Sequence, residues 1–161
     1  EPATANTATD AIIGVGPLAL PGYLDRLQIV TRPAPNRLRV SDFERWAGPL
    51  GDDMLRVLAD NLKTLTGARG VSVFPWPVGQ RPDLAVSIVV HAFEGVAGDR
   101  VALRATATLR DLRTKTAPLI WDVHDEQTTV PGDCEALGAA QSRAMAALSR
   151  SIAEKVLSFN P

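Results

Sequence analysis

Near residue 120, side chains with carboxylate or imidazole groups occupy every second position of the chain. Asp122, His124 and Glu126 would share one face of a strand, and carboxylate and imidazole groups are the ligands that zinc and related metals take. Ligands two residues apart on one strand fan outward and do not converge on a single point. The pattern therefore favours a solvated strand face, and we predict no metal site.

The candidates for catalysis lack partners in the sequence. Cys134 is the only cysteine, and it lies at the start of a predicted helix without a neighbouring histidine that would make it a nucleophile. His91 lies inside an apolar strand, which is typical of a core histidine. The pairs Asp25/Arg26 and Glu44/Arg45 have no nucleophile or base beside them, which favours structural ion pairs. We predict that the protein is not an enzyme.

A glycine-containing stretch, "GVGPLA" from Gly14, resembles a phosphate-binding loop only in part. It lacks the third glycine and the following helix that a dinucleotide site requires. The sequence predicts no cofactor. With 161 residues, the chain has the size of one domain. Its formal net charge of −1 provides no excess of positive charge to attract a phosphate backbone, so we expect no nucleic acid partner.

The element pattern predicts an α/β domain behind a flexible lead-in. Residues 1–10 are small and polar and are expected to form a tether, and residues 11–161 form the domain. A helix starting at Pro49 carries an apolar stripe and stops at Gly67, and a second helix runs from Asp133 to about Phe159. The stripe of the first helix comprises Leu50, Met54, Val57, Leu58, Leu62 and Leu65.

Three long strands over residues 84–128 are predicted to form an antiparallel meander within a mixed sheet. In "LAVSIVVHAF" the residues that point to each face of the strand are largely apolar, which predicts a central strand covered on both faces. Ala105 and Ala107 offer a seat for the alanine-rich last helix. Each helix is expected to cover a sheet, which gives a single-domain α/β sandwich with two main helices.

A long run of residues carries a resemblance to a known family. "GVGPLALPGYLDRLQIVTR" followed by "NRLRVSDFERWAGPLGDDMLRVLADNL" resembles the paraquat-inducible protein C family, the ABC-type transport auxiliary lipoproteins. The resemblance implies an anticodon-binding-domain-like α/β sandwich and a lipid anchor upstream of the tether. It also implies a place at the periplasmic face of the outer membrane, beside transmembrane and mammalian-cell-entry (MCE) domain subunits that move lipids between membranes.

The same run supplies candidate partner-binding residues, because aromatic and arginine side chains dominate interface hot spots. Trp46 has a second interpretation, since a residue ahead of a helix often packs on its first turns, here against Leu50 or Met54. The candidate residues are Tyr23, Leu24, Asp25, Arg26, Arg45 and Trp46.

Two functions from different classes follow. The first is a non-catalytic subunit of an envelope lipid-transport system that docks a periplasm-spanning partner. The second is a periplasmic binding module that carries a lipid or another apolar ligand in a cleft between sheet and helix. A homo-oligomer is an open alternative in either case.

Overall fold

The computed structural model describes residues 9–22, 28–34, 37–45, 50–77, 79, 81–96, 100–129 and 134–159. These residues form seven strands and two helices: β1 (Ile12–Ala19), β2 (Gln28–Ala34), β3 (Arg37–Arg45), α1 (Leu50–Thr66), β4 (Gly70–Val73), β5 (Leu84–Val96), β6 (Arg100–Asp111), β7 (Leu119–Thr128) and α2 (Cys134–Ser158).

All of these strands join one mixed sheet with β5 at its centre. β6 runs antiparallel along one edge of β5, and β7 continues the sheet beyond β6. Two parallel strands share the other edge: β1 lies beside residues 84–89, and β2 lies beside Gly95 and Val96. β4 extends the sheet beyond β1 in parallel, and β3 extends it beyond β2 in antiparallel. The predicted meander and mixed sheet are confirmed.

Both helices lie on the same face of this sheet and pack against each other, so the fold has two layers. α1 contacts β1 and β4, whereas α2 contacts β5, β6 and β7. The prediction was that each helix covers a sheet, and both helices cover parts of the same one, because β1 pairs with β5 and joins the two halves. The α/β sandwich with two helices is confirmed.

The prediction that β5 is covered on both faces is wrong. β5 is central, but Val89 is 47% exposed and His91 is exposed as well. The alternate residues Val86, Ile88 and Val90 are at most 2% exposed beneath the helices. Since both helices occupy one face, Val89 and His91 on the other face are not covered by a second layer.

α1 forms where local sequence favours a helix and an apolar stripe can be buried. Asp52 and Asp53 lie in the first turn, where carboxylates interact favourably with the positive end of the helix dipole. Gly67 ends the helix with a left-handed φ of 60°, and its N–H donates to the Lys63 carbonyl over 3.1 Å. Of the predicted stripe, Leu50, Met54, Leu58 and Leu62 are buried, while Val57 and Leu65 are 36% and 39% exposed at its margins.

Small residues set the distance between α2 and the sheet. Ala105 and Ala107 of β6 and Ala140 and Ala144 of α2 are all at most 2% exposed, and α2 packs on β6. The predicted seat for α2 on β6 is confirmed. Small buried side chains allow a helix to pack closely on a sheet, and larger aliphatic residues are buried around them. Fully buried examples are Ile13, Leu58, Leu62, Ile88, Leu103, Leu109, Leu148 and Ile152.

Candidate functional site

Most of the predicted partner-binding residues lie outside the described part of the chain. These are Tyr23, Leu24, Asp25, Arg26 and Trp46, so their roles, including the packing of Trp46 on α1, stay predictions. The proposed pair Asp25/Arg26 also lies there. Arg45 is the last residue of β3, where its backbone pairs opposite Gln28 of β2.

The described residues that flank these segments form two neighbouring pairs. The first segment runs from Gly22 to Gln28, and the second runs from Arg45 to Leu50, where α1 begins. Gln28 and Arg45 are partners in the β2–β3 ladder. On the other flank, a Cβ placed on Gly51 would lie 3.4 Å from Leu20 Cδ1, so α1 starts in contact with the residues that follow β1.

An aromatic corner follows β4. The Phe74 N–H donates to the Val15 carbonyl over 2.8 Å, which places Phe74 beside the middle of β1. The rings of Phe74 and Trp76 lie edge to face, with centroids 5.2 Å apart and an angle of 88° between their planes. Phe74 is 41% exposed, as is Val73 before it. The corner therefore presents aromatic surface to solvent next to the start of α1.

The glycines of the "GVGP" stretch make room for this packing. A Cβ on Gly14 would lie 2.6 Å from Trp76 Cζ2 and 2.6 Å from Pro82 Cγ, so any other residue would displace the indole ring. Gly16 has a φ of 113°, and a Cβ there would meet Phe74 Cβ at 2.8 Å. Close packing by Trp76 and Phe74 thus accounts for both glycines.

Half-buried apolar side chains connect this corner to Leu20. A Cβ placed on Gly16 would lie 3.6 Å from Leu55 Cδ2 and would also contact Phe74. A Cβ placed on Gly51 would lie 4.0 Å from Leu18 Cδ2. Leu18, Leu20 and Leu55 pack on the edge of the hydrophobic core without being fully buried. We call Leu18, Leu20, Leu55 and Phe74 the apolar strip. Its chemistry suits the binding of an apolar surface and offers no group for catalysis.

The open face of the sheet carries a line of polar side chains across three strands. Thr106 Oγ1 donates to Asp122 Oδ1 over 2.8 Å and lies 2.8 Å from His91 Nε2. Because the hydroxyl hydrogen is directed to Asp122, the imidazole N–H donates to Thr106. The interpretation of His91 as a core histidine is wrong: β5 places it on the face opposite the helices, where it is exposed.

The candidate metal ligands share this open face on β7. Asp122, His124 and Glu126 are exposed, and His124 Nε2 lies 3.7 Å from Glu126 Oε1. Arg100 Nη1 lies 3.7 Å from Glu126 Oε2, a distance typical of a solvated surface pair. Among the residues that the structure describes, no three histidine, cysteine or acidic side chains are grouped as metal ligands would be.

A buried carboxylate at the end of β6 belongs to the fold. Asp111 is 5% exposed and accepts hydrogen bonds from Arg113 N, Nε and Nη2 over 2.8, 3.1 and 3.2 Å. The hydrogen bonds from the Arg113 side chain hold the pKa of Asp111 below its ordinary value, against the opposing effect of burial. The same interaction raises the pKa of Arg113.

Asp83 completes this arrangement at the start of β1. Its Oδ2 accepts from Ile12 N over 2.9 Å, its N–H donates to the Ile12 carbonyl over 2.9 Å, and its carbonyl accepts from Leu112 N over 2.8 Å. The group fixes the adjoining ends of β1, β5 and β6. Sequence reasoning missed it, because Asp111 and Arg113 look like ordinary members of an alternating strand.

Cys134 is the first residue of α2, and the predicted cap Asp133 lies outside the described residues. In the part of the chain that the structure describes, neither α1 nor α2 is long and apolar enough to cross a bilayer.

Sequence reasoning also missed the apolar strip and its aromatic corner. The available signal was "FPWP", aromatic residues alternating with prolines after a short strand, which indicates simply the interruption of that strand. The contact with α1 depends on the parallel pairing of β1 and β4 and has no local signature.

Comparison with solved structures identifies this architecture in other proteins. The crystal structure of an uncharacterized protein matches with a TM-score of 0.79 and 19% identity, covering 92% of this chain and 94% of that one. Protein XCC0632 from Xanthomonas campestris matches with a TM-score of 0.75 and 20% identity, covering 97% and 89%. The PelC dodecamer from Paraburkholderia phytofirmans matches with a TM-score of 0.53 and 14% identity, covering 95% and 92%. At these identities the matches show a shared fold.

Among curated proteins, none matches the chain significantly. A family model does, and it covers residues 1–153, nearly the whole sequence. Its description is "ABC-type transport auxiliary lipoprotein component". The chain therefore belongs to the family of ABC-type transport auxiliary lipoprotein components.

Proposed function

We propose that the protein is a non-catalytic lipoprotein subunit of an MCE-type system that transports lipids between the membranes of the cell envelope. In this proposal a lipid anchor upstream of the tether holds the domain at the periplasmic face of the outer membrane. The domain then docks a periplasm-spanning partner, an MCE-domain subunit or a transmembrane subunit of the same system. The observation that carries the proposal is the family match over residues 1–153.

The geometry supports docking as the task of the domain. Tyr23, Arg26, Arg45 and Trp46, with Leu24 and Asp25 beside them, are the proposed contact residues, and the apolar strip lies on α1 and on the chain that leads to Tyr23. Aromatic and arginine side chains contribute most where they are desolvated at the centre of an interface. The polar groups of the open face bond chiefly to one another, as in the line from His91 to Asp122.

The alternative, a module that carries an apolar ligand between sheet and helices, receives less support. An open cleft there would expose apolar side chains between the two layers. Instead, Val86 and Leu103 of the sheet and Leu58 and Leu148 of the helices are fully buried. The alanine seat of α2 brings the layers close together, which leaves the space to side chains of the protein itself.

Self-association is a further proposal to test. PelC from Paraburkholderia phytofirmans, which shares the fold, forms a dodecamer. The mass of the purified full-length protein in detergent, measured by light scattering, distinguishes a monomer from a closed homo-oligomer. An assembly that forms without the transport subunits would show that self-association precedes docking.

Co-purification from native membranes tests the proposed function. The full-length lipoprotein, tagged at its C-terminus, should retain transmembrane and MCE-domain subunits, and replacing the lipidated cysteine should release it from the membrane fraction. Lipid extraction of the purified subunit separates the two functions. A stoichiometric lipid on the isolated domain, together with failure to retain any transport subunit, would contradict docking and favour the carrier.

A further inference from the structure

The turn between β6 and β7 is exposed along its whole length and carries positive charge. Residues 113–120, from the turn into the start of β7, are all exposed, and none of them is acidic. Arg113 and Lys115 belong to this stretch, and Arg110, near the end of β6, is exposed as well. We call residues 110–120 the β6–β7 tip.

Hydrogen bonds within the tip hold its backbone in one conformation. The carboxylate of Asp111, the buried acidic residue of the tip, accepts from Arg113 N over 2.8 Å. Farther along, Thr114 Oγ1 lies 2.6 Å from Thr116 Oγ1 and accepts from Thr116 N over 3.3 Å. Because these contacts already order the turn, little conformational freedom is lost when another surface covers it.

Apolar side chains lie next to the basic ones in the tip. Ile120 is 61% exposed and Leu119 is 37% exposed. Ile120 is paired with Thr108 of β6, and Arg110 lies two residues beyond Thr108, so Ile120 and Arg110 share the face of the sheet that the helices leave open. Exposed aliphatic groups beside basic groups are typical of surfaces that lie in the interface of a bilayer.

The base of the tip lies beside the point where the chain enters the fold from the predicted tether. The Leu112 N–H donates to the Asp83 carbonyl over 2.8 Å, and the Asp83 N–H donates to the Ile12 carbonyl over 2.9 Å. Ile12 follows Thr9 by three residues. Because β5 lies between β1 and β6 here, two strand spacings, about 10 Å, separate the start of β1 from the base of the tip. An anchor upstream of the tether therefore brings the tip within reach of the bilayer.

Further basic side chains surround the entry of the chain. Arg81 lies two residues before Asp83, Arg69 directly precedes β4, and both are exposed. Asp10 is an exposed acidic residue in the same region, while the carboxylate of Asp83 accepts from Ile12 N over 2.9 Å. Among the described residues, positive charge therefore predominates around the tip and the entry, although the whole chain has a net charge of −1.

We infer that the β6–β7 tip is a membrane-contact surface and that its occupant is a bilayer with anionic phospholipid headgroups. Arg110 and Lys115 lie at the phosphates, and Ile120 enters the boundary between headgroups and acyl chains. Charge complementarity and the position beside the entry of the tether indicate this occupant. The inference rests on the anchoring stated in the proposed function, and it adds a second contact that orients the domain on the membrane.

Fluorescence quenching in proteoliposomes tests the inference with the full-length lipoprotein. An environment-sensitive fluorophore is attached through Ala117→Cys at the tip or, as a control, through Thr128→Cys at the other end of β7, both exposed positions, with Cys134→Ser removing the other thiol. In vesicles of phosphatidylethanolamine and phosphatidylglycerol, spin-labelled lipid should quench the fluorophore at 117 and leave that at 128 unchanged. Quenching at 117 should weaken in 1 M salt, where the Debye length is about 3 Å.

Charge reversal at the tip should shift the equilibrium away from the membrane. Arg110 and Lys115 form no ion pair with other described residues, so Arg110→Glu with Lys115→Glu leaves the fold intact, which thermal unfolding verifies. The ratio of contacting to free tips should fall at least about fivefold for each charge. Arg56→Glu with Arg104→Glu changes the net charge equally at exposed positions farther from the tip, and should leave the ratio within about twofold.

The outcomes also separate this inference from the proposed function. Equal quenching at positions 117 and 128, or equal contact with vesicles of phosphatidylcholine alone, would overturn the inference and leave docking untouched. Protection of position 117 that requires the transport subunits would overturn it as well, because the occupant would then be a protein. If the tip contacts anionic vesicles and the lipoprotein retains no transport subunit, docking fails and the inference stands. A full-length protein without a lipid anchor would contradict both.

Discussion

The two ends of helix α1 use the same kinds of residue for opposite purposes. We call the C-terminal end the tether end, because Thr9 N donates to the Thr66 carbonyl there. Leu62 and Thr66 are fully buried at this end, and the Thr66 hydroxyl donates to the Leu62 carbonyl and accepts from Ala68 N. At the other end, Leu55 and Phe74 stay partly exposed beside Leu18 and Leu20. Among the described residues, one end is therefore closed by buried groups, while the other keeps apolar side chains partly exposed.

The largest contrast is expected from truncating one leucine at each end of α1. Leu62→Ala should lower the free energy of unfolding by about 2 to 5 kcal/mol, because Leu62 is fully buried and the substitution leaves a cavity. Leu55→Ala should lower it by only about 1 kcal/mol, since part of that side chain is already in water. Urea denaturation measures both. Equal losses would show that the N-terminal end is as much a part of the core as the tether end.

Removing the buried hydroxyl at the tether end should have the next largest effect. Thr66→Val keeps the shape of the side chain but leaves Ala68 N without its acceptor, which should cost about 1 to 2 kcal/mol. Thr64 is the matched control, because its hydroxyl donates to the Asp60 carbonyl over 3.2 Å on the exposed side of the same helix. Thr64→Val should change stability by less than about 0.5 kcal/mol. A Thr66→Val protein as stable as its control would contradict the account of this end.

The carboxylate of Asp111, near the start of β1, should make the fold sensitive to acid. Its pKa is lowered in the folded state, so its contribution to stability is present above the unfolded pKa of about 3.9 and is lost as pH falls through the lower folded value. Asp111→Asn should cost about 1 to 2 kcal/mol at neutral pH, because a neutral amide is a weaker acceptor for Arg113.

Unfolding measured as a function of pH checks this prediction. Below about pH 5 the stability of the unmodified protein should fall more steeply than that of Asp111→Asn, so that the difference between them narrows. Asp60→Asn, an exposed change in the middle of α1, serves as the control and should follow the unmodified protein. A constant difference across the pH range would show that Asp111 does not act through its charge.

The smallest effect is expected from two helical glycines. Gly138 of α2 has open space where a Cβ would lie, so Gly138→Ala should stabilise the protein by about 0.5 to 1 kcal/mol. Gly51 of α1 faces Leu20 at 3.4 Å, so part of the same gain should be lost to that contact. Differential scanning calorimetry measures the change in stability at each of the two positions. A larger gain at Gly51 than at Gly138 would mean that Leu20 does not pack on the start of α1.

The sequence predicted those parts of the fold that local patterns determine. The buried residues Leu50, Met54, Leu58 and Leu62 repeat at helical spacing, and Gly67 ends that helix through its left-handed conformation. The meander was predictable as well, because its strands alternate and turn locally. The order of the sheet was not, since the pairing of β1 with β5 joins residues about seventy positions apart.

The errors at the site have a common physical cause. The sequence of β5 does not reveal which face the helices cover. It predicts a covered position for Val89 and His91, whereas the structure shows both to be exposed. Phe74 and Leu55 both approach Gly16 because β4 pairs with β1 beneath α1. A contact of that kind depends on tertiary structure and leaves no periodicity along the chain.

Hydrogen exchange of the lipoprotein, alone and in complex with its transport subunits, tests the central claim most directly. We predict that complex formation slows amide exchange at residues 16–22, 50–56 and 72–77, around the apolar strip, and leaves residues 62–70 at the tether end unchanged. Slower exchange confined to the tether end or to the meander strands, with no change around the strip, would contradict the claim.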